Sequence, residues 1–375
     1  MHDIYSVVMV FLVSLVVASL VYKPILLFAK KYKIYDNPEE RKFQRVPIPV
    51  MGGGVVFLGA VIGLQFYWFV RDCLPLIPLL IAMVVMLGVG IWDDIKDLSP
   101  YTKFIFEIIV VVLLALSTDG PVNNFHGLWG IYEISPWIAW PLTVIACVGI
   151  INAINMVDGI DGLSSGLCIM IFSSFSWLLF ITQDYIHAAF GMAIVGGLVP
   201  FFIMNVFSHR SKMFIGDAGT MMLGIAICDF VMVIMRIDPI TSIKHGEDYC
   251  IIAFLMAVSA VPIFDTIRVM FGRILRRRSP FRPDRSHLHH AFIAYGFHHL
   301  ETSLLEIIIN ILIIFFWMAL KYSHLPMEWQ LYGVVAAGIA VSCGLYWILV
   351  SQRQKGNGGN TSSGTTEDKE NTSLS

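Results

Sequence analysis

Long apolar runs, each broken by a short polar stretch, set the rhythm of this chain. Ile4 to Phe28 carries a single charge, Lys23; Val55 to Val70 and Pro78 to Trp92 carry none; Phe104 to Leu116 carries only Glu107. Such blocks suit helices that cross about 30 Å of hydrocarbon, which takes roughly 20 apolar residues each. Barrel strands would instead alternate apolar and polar over about ten residues. The pattern predicts helices at 5–27, 50–70, 74–92, 104–118, 137–155, 163–181, 187–205, 218–236, 249–270, 302–321 and 330–350. The expected fold is therefore all-α, a polytopic membrane protein of about eleven transmembrane helices, or ten if a short one does not cross. Residues 1–350 read as one transmembrane domain. Residues 351–375, rich in Gly, Ser, Thr and Asn, read as a disordered polar cytoplasmic tail.

Composition sharpens this reading. The chain is 57% hydrophobic and 14% charged, against about 25% charged in a soluble domain. A formal net charge of −2 gives no nucleic-acid signal, and the six Cys form no CxxC pair or zinc spacing. The first apolar block is too long for a signal-peptide core and lacks a basic leader, so it reads as a retained helix.

Lys and Arg are sorted. Arg71, Arg236, Lys244 and Lys321 fall on one side; nearly all the others, including Lys96, Lys103, Arg210 and Lys212, fall on the opposite side. The basic side is expected to be cytosolic. Eleven spans then put the N-terminus outside and the C-terminus inside, and the conspicuous Asp and His residues on the cytosolic face.

Four constellations carry chemistry. Asp93, Asp94 and Asp97 form a DDxxD at a helix end. If the helix continued, Asp93 and Asp97 would share a face, and such a set calls for a cation such as Mg²⁺. A simple acidic cap is the other reading. Asn152, Asn155, Asp158 and Asp161 alternate with glycines in NAINMVDGIDGLSSG. The two Asn side chains suit an edge with both donors and acceptors, such as a nucleobase. Asp217 lies between two glycines in MFIGDAGTMMLG, where a metal at a helix N-terminus would meet phosphate oxygens. Phe214, one turn earlier, can stack on a planar ring or serve as an interfacial anchor. The fourth, SPFRPDRSHLHHAF, combines Arg282 and Arg285 with His287, His289 and His290. It suits a diphosphate better than a metal, because arginines repel cations. Arg41, Lys42 and Arg45 either hold substrate phosphate or only mark the cytosolic side. Carboxylates and basic groups at one membrane face fit metal-assisted phosphoryl transfer to a lipid.

DNPEERKFQRVPIPVMGGG (36–54), DDIKD (93–97), NAINMVDGIDGLSSG (152–166), FIGDAGTMMLG (214–224) and RPDRSHLHH (282–290) occur in this order. In them the chain resembles the bacterial polyprenyl-phosphate N-acetylhexosamine-1-phosphate transferases. The closest likeness is to the branch making undecaprenyl-diphospho-GlcNAc for enterobacterial common antigen, O-antigen or teichoic acid. The resemblance implies a multi-pass protein of the bacterial inner membrane, using Mg²⁺ (or Mn²⁺), UDP-GlcNAc and undecaprenyl phosphate and releasing UMP. It implies Asp217 and Asp94 as metal residues, and Asp93, with Asp94 beside it, as base or phosphate-activating residue. Asn155, Asp158 and Asp161 would hold the nucleotide, Phe214 would match an aromatic that stacks on uracil, and His287, His289 and His290 the cytosolic histidine motif. Asp97 argues for the GlcNAc-type branch. Gln44 departs from the family's RKxH pattern and can contribute only a hydrogen bond. Another UDP-N-acetylhexosamine differs by one or two polar groups, and a homodimer is compatible with the sequence.

Two other classes have less support. An intramembrane prenyltransferase would show two similar aspartate motifs; a transporter would place its polar residues at mid-membrane in inverted repeats. A non-catalytic scaffold would not need Asp93, Asp94 and Asp217.

Overall fold

The structure is a computed structural model and describes residues 2–38, 46–68, 73–208, 210–238, 249–280 and 285–352. Arg41, Lys42, Gln44, Arg45, Arg282 and the tail from residue 353 lie outside the described residues. The helices are α1 (His2–Lys31), α2 (Gly52–Trp68), α3 (Ile77–Lys96), α4 (Pro100–Ser117), α5 (Pro136–Val157), α6 (Leu163–Ile181), α7 (Tyr185–Phe207) and α8 (Gly216–Ile234). Then come α9 (Ile251–Val258), α10 (Ala260–Leu275), α11 (Leu288–Tyr295), α12 (His299–Tyr322) and α13 (Met327–Ile339). A π-helical turn, Ala340–Leu345, prolongs α13.

By length and composition, nine of the described helices can cross a membrane, or ten with α9 and α10 as one bent span. The helix at Gly52–Tyr67 is apolar but shorter. The chain is a polytopic α-helical membrane protein. Helices dominate because hydrocarbon offers no partner to a backbone N–H or C=O. α8 is the hub: 83% of its apolar window is buried, against 22% for α1. α2, α3, α4, α5 and α6 pack on it, while α1 packs on α2 and α7. Leu12, Val16 and Leu20, four residues apart on α1, are exposed, as a lipid-facing stripe would be.

Two local signals move the expected boundaries. α4 starts at Pro100 rather than 104, because Ser99 caps it, its Oγ accepting from Thr102 N at 3.2 Å, with proline in the first position. Lys103, expected in a loop, is thus inside the helix. The span expected at 249–270 is instead broken at Ser259, with a 79° bend. Pro262 explains the break. It has no N–H, so Val258 O, four residues before it, loses its helical donor, while proline is tolerated in the first turn of α10. The break frees backbone groups, and buried Asn310 on α12 satisfies them. Its Nδ2 donates to Ala257 O (3.1 Å) and Val258 O (3.0 Å), and its Oδ1 accepts from Val261 N (2.8 Å).

A short β-ladder joins the N-terminal segments to the hub. Tyr35–Asp36 pairs antiparallel with Ile48–Pro49, and Val50 bridges to Phe214. The glycines opening α2 follow directly, Gly52 N donating to Phe214 O (2.9 Å) and Gly53 N to Ile215 O (3.0 Å).

Candidate active site

Helix ends from across the sequence meet at one end of the bundle. The C-terminal turn of α3 carries Asp93 and Asp94; the first turns of α4 and α8 carry Lys103 and Asp217; the last turn of α5 carries Asn155. Asp94 accepts from Asp217 N (3.0 Å, Oδ1) and Ala218 N (3.2 Å, Oδ2). It satisfies two orphan donors at the start of α8, where a carboxylate also meets the favourable end of the helix dipole. This contact needs two glycines. Gly216 has φ +75°, and a Cβ there would lie 2.7 Å from Asp94 Oδ2; a Cβ on Gly90 would strike the backbone of α8.

Lys103 ties the carboxylates together. Its ammonium pairs with Asp93 and donates to Asp217 Oδ2 at 2.8 Å. Asp217 Oδ1 accepts from Asn155 Nδ2 (2.8 Å), which also donates to Thr220 Oγ1 (2.9 Å). Asp93 is buried and accepts from Leu98 N at 2.7 Å. Asp217 keeps 32% of its side chain exposed, so a ligand can still reach it.

Hard oxygen donors suit Mg²⁺, which commonly takes one or two carboxylates and completes its shell with water and substrate phosphate. Asp217, with Asp93 across the same ammonium, fits that requirement. Among the described residues no group of three or more His, Cys, Asp or Glu forms a ready-made metal cage.

The turn between α5 and α6 adds a second group. Asp158 accepts from Ser164 Oγ at 2.6 Å. Burial, opposed by that bond and reinforced by the charges of Asp217, Asp36 and Asp161, pushes its carboxyl up to about 7. Asp161 is also penalised by burial, but His299 (3.2 Å) and Lys212 (2.6 Å) outweigh this and hold it below the usual carboxylate range. Lys212 also lies 5.7 Å above the half-buried Phe214 ring. A third group comes from the start of α11. His287 and His289 are buried with parallel rings 5.6 Å apart, and His290 lies 4.4 Å from His289. Burial, then the neighbouring imidazoles His290 and His287, drive the pKa of His289 well down, so it is neutral at pH 7.

Several sequence-level expectations change. α3 ends at Lys96, and Asp97 follows in the left-handed region at φ 48°, exposed, so it does not share a face with Asp93. Asn152 does not present a free amide edge. Its Nδ2 donates to Glu107 Oε2 (2.6 Å) and to Val148 O (2.9 Å). Asp94, expected as a metal residue, instead accepts through both oxygens from backbone N–H groups of α8. Arg285 is exposed at the entrance to α11. Sequence reasoning missed Lys103, Lys212, His299 and Glu107 as site neighbours. One signal was present: Lys103 and Glu107 stand four apart on an otherwise apolar helix.

The profile of glycosyl transferase family 4 matches residues 76–235, from the start of α3 to the end of α8. That stretch holds Asp93, Asp94, Lys103, Asn155, Asp158, Asp161 and Asp217. The chain is 30% identical over 273 residues to the undecaprenyl-phosphate alpha-N-acetylglucosaminyl 1-phosphate transferase of Haemophilus influenzae, spanning 70% of this chain and 72% of that one. Enzymes of the same name from Salmonella typhi and Escherichia coli K12 are 27% identical over 308 residues and 26% over 313, each match spanning 80% of both chains. The protein belongs to this family of polyprenyl-phosphate sugar-1-phosphate transferases.

Proposed function

We propose that the protein transfers N-acetylglucosamine-1-phosphate from UDP-GlcNAc to undecaprenyl phosphate, giving undecaprenyl-diphospho-GlcNAc and UMP. The observation that carries this reading is the assembly of Asp93, Lys103, Asn155 and Asp217 at the N-terminus of α8, a helix end that favours phosphate. Asp217, with Asp93, would hold Mg²⁺, or Mn²⁺ in its place, which neutralises charge on the diphosphate.

The chain's own residues do the rest. Lys103 draws phosphate oxygens to the site and separates the two carboxylates. Asp94 fixes the backbone beneath Asp217 and is a positioning residue in this reading, not a metal ligand. Asp158, Asp161 and Lys212 hold the nucleotide beside Phe214, and the histidine segment faces the diphosphate. A lipid phosphate has a second pKa of about 6 and is largely dianionic at pH 7. Asp93 therefore orients the attacking oxygen more than it deprotonates it. That oxygen forms a bond to the β-phosphorus as the bond from that phosphorus to the bridging oxygen breaks. The sugar stays on the phosphorus that moves, and the electron pair leaves with UMP. One phosphoanhydride is lost and one is made, so added UMP should drive the reaction backwards.

We place this chemistry on the cytosolic face of the bacterial inner membrane, with the N-terminus outside and the C-terminus inside, following the Lys and Arg bias. Residues 1–350 form the catalytic domain. The test is purified protein with undecaprenyl phosphate and a panel of UDP-sugars. UMP should appear in step with lipid-linked GlcNAc, stop in excess chelator, and return with Mg²⁺ or Mn²⁺. Turnover with a different UDP-N-acetylhexosamine alone would replace the sugar, and full turnover in chelator would remove the metal. Direct transfer also forbids exchange of labelled UMP into UDP-GlcNAc without lipid; such exchange at the turnover rate would establish a covalent aspartyl intermediate.

A further inference from the structure

The broken span places a buried carboxylate outside all the sequence motifs, Asp265 on α10, directly against the histidine segment. It is 3% exposed. Its Oδ2 lies 2.8 Å from His287 Nδ1, and its Oδ1 accepts from Leu288 N (3.1 Å) and from Arg268 Nη2 (2.6 Å). Arg268 Nη2 also donates to Ser286 O (2.6 Å), and its guanidinium lies 3.9 Å over the Tyr346 ring. Asp265 and Arg268 thus grip residues 286, 287 and 288 in succession. α11 has no side-chain cap of its own at His287, so a carboxylate from another helix supplies it.

The grip has a chemical consequence. An ionised carboxylate only accepts hydrogen bonds, so His287 must carry its proton on Nδ1. The ring nitrogen left for other chemistry is then Nε2. The adjacent Arg268 balances the charge of Asp265. The histidine segment in turn leans on the α5–α6 turn. His289 stacks on His287, and a Cβ at Gly159 would come within 2.7 Å of His289 Nε2. Gly159 immediately follows Asp158, so the position of α11 is passed to the turn assigned to the nucleotide.

We propose that Asp265, held by Arg268, is a positioning residue for transfer. It sets the tautomer and direction of His287 and seats the histidine helix against the Gly159 turn. This rests on the transferase reading above and adds the residue that makes its histidine segment competent.

The test is a double-mutant cycle on the full-length protein with UDP-GlcNAc and undecaprenyl phosphate. D265N keeps the shape, but its amide can donate to His287 Nδ1 and so favours the opposite tautomer. We expect kcat to fall about a hundredfold or more, as tautomer errors do elsewhere, with KM for UDP-GlcNAc changed less than threefold. H287A alone should fall similarly, and D265N added to H287A should cost nothing further, since residues acting as one unit are non-additive. D265E, which keeps the acceptor, should recover part of the D265N loss. Fully additive losses, or a D265N enzyme with wild-type kcat, would overturn the proposal. If D265N does not fold, the same cycle is run with R268K, and additivity there counts against the proposal equally. If instead wild-type protein turns over no UDP-sugar, it is the transferase reading that fails, and the D265N comparison does not arise.

Discussion

α8 carries two aspartates whose fates differ. Asp217, in its first turn, keeps about a third of its side chain exposed and is bonded by Lys103 and Asn155. Asp229, twelve residues on and about 18 Å along the axis, is 1% exposed, with His187 Nε2 3.9 Å from its Oδ2. That His187 is in turn held by Asp184 at 2.7 Å. The opposite end of the bundle is closed in the same way. Arg236 donates to Gly120 O (2.6 Å), and His126 Nε2 lies 2.8 Å from Met235 O. Buried charge alone therefore does not mark a site. Asp217 differs because it sits where glycines bring backbones together, at the end of the helix dipole that favours anions, and with a face open to ligand.

The comparison breaks most directly by mutating both aspartates. D217N should lose transfer by at least about a thousandfold, the scale of removing a main electrostatic contributor, while remaining folded. D229N should stay within about threefold of wild type, because it faces protein only. Equal losses, measured as UMP release, would mean that exposure and helix position do not separate the two. Next in size is Lys103. K103M leaves Asp93 and Asp217 as close like charges and should cost about a hundredfold in kcat; K103R should retain more activity than K103M. Wild-type rates for K103M would remove the ammonium from the site.

A smaller effect lies in pH. The folded-state pKa of Asp158 is raised to about 7, so the folded protein holds this proton more tightly than the unfolded chain. The carboxyl therefore favours folding at low pH, and this contribution is lost as pH rises from about 4 to about 7. Asp161, with a lowered pKa, has the opposite sign: its contribution is present above the unfolded value and lost as pH falls through the folded one. UDP-GlcNAc affinity should weaken between pH 6 and 8 as Asp158 ionises near the diphosphate, and D158N should flatten that slope in titration calorimetry. An unchanged slope would take Asp158 out of the nucleotide turn. The smallest effect is expected from truncation after Gln352: kcat should stay within twofold if the catalytic domain ends near residue 350.

Much of the framework was legible because its causes are local. Apolar blocks must be helical in lipid, and Ser99-Pro100 and Pro262 are short-range start and break signals, although neither shaped the expected boundaries. Asp217 stood out because Gly-Asp at the head of an apolar helix has few other uses. The partners were not legible. Lys103 meets Asp217 from 114 positions away and Asn155 from 62, while Asp265 and His287 are 22 apart. Asp97 looked equivalent to Asp93 until a left-handed residue ended the helix, and Asn152 looked like a ligand until Glu107 took its amide. By itself the sequence determined which segments are helical and which motifs crowd toward the helix ends. Only the tertiary structure decided which carboxylate faces a ligand, which caps a helix and which is sealed. That choice depends on how closely α3, α4, α5 and α8 approach and on whose donors arrive first at each oxygen, and neither is encoded within a few residues of the carboxylate.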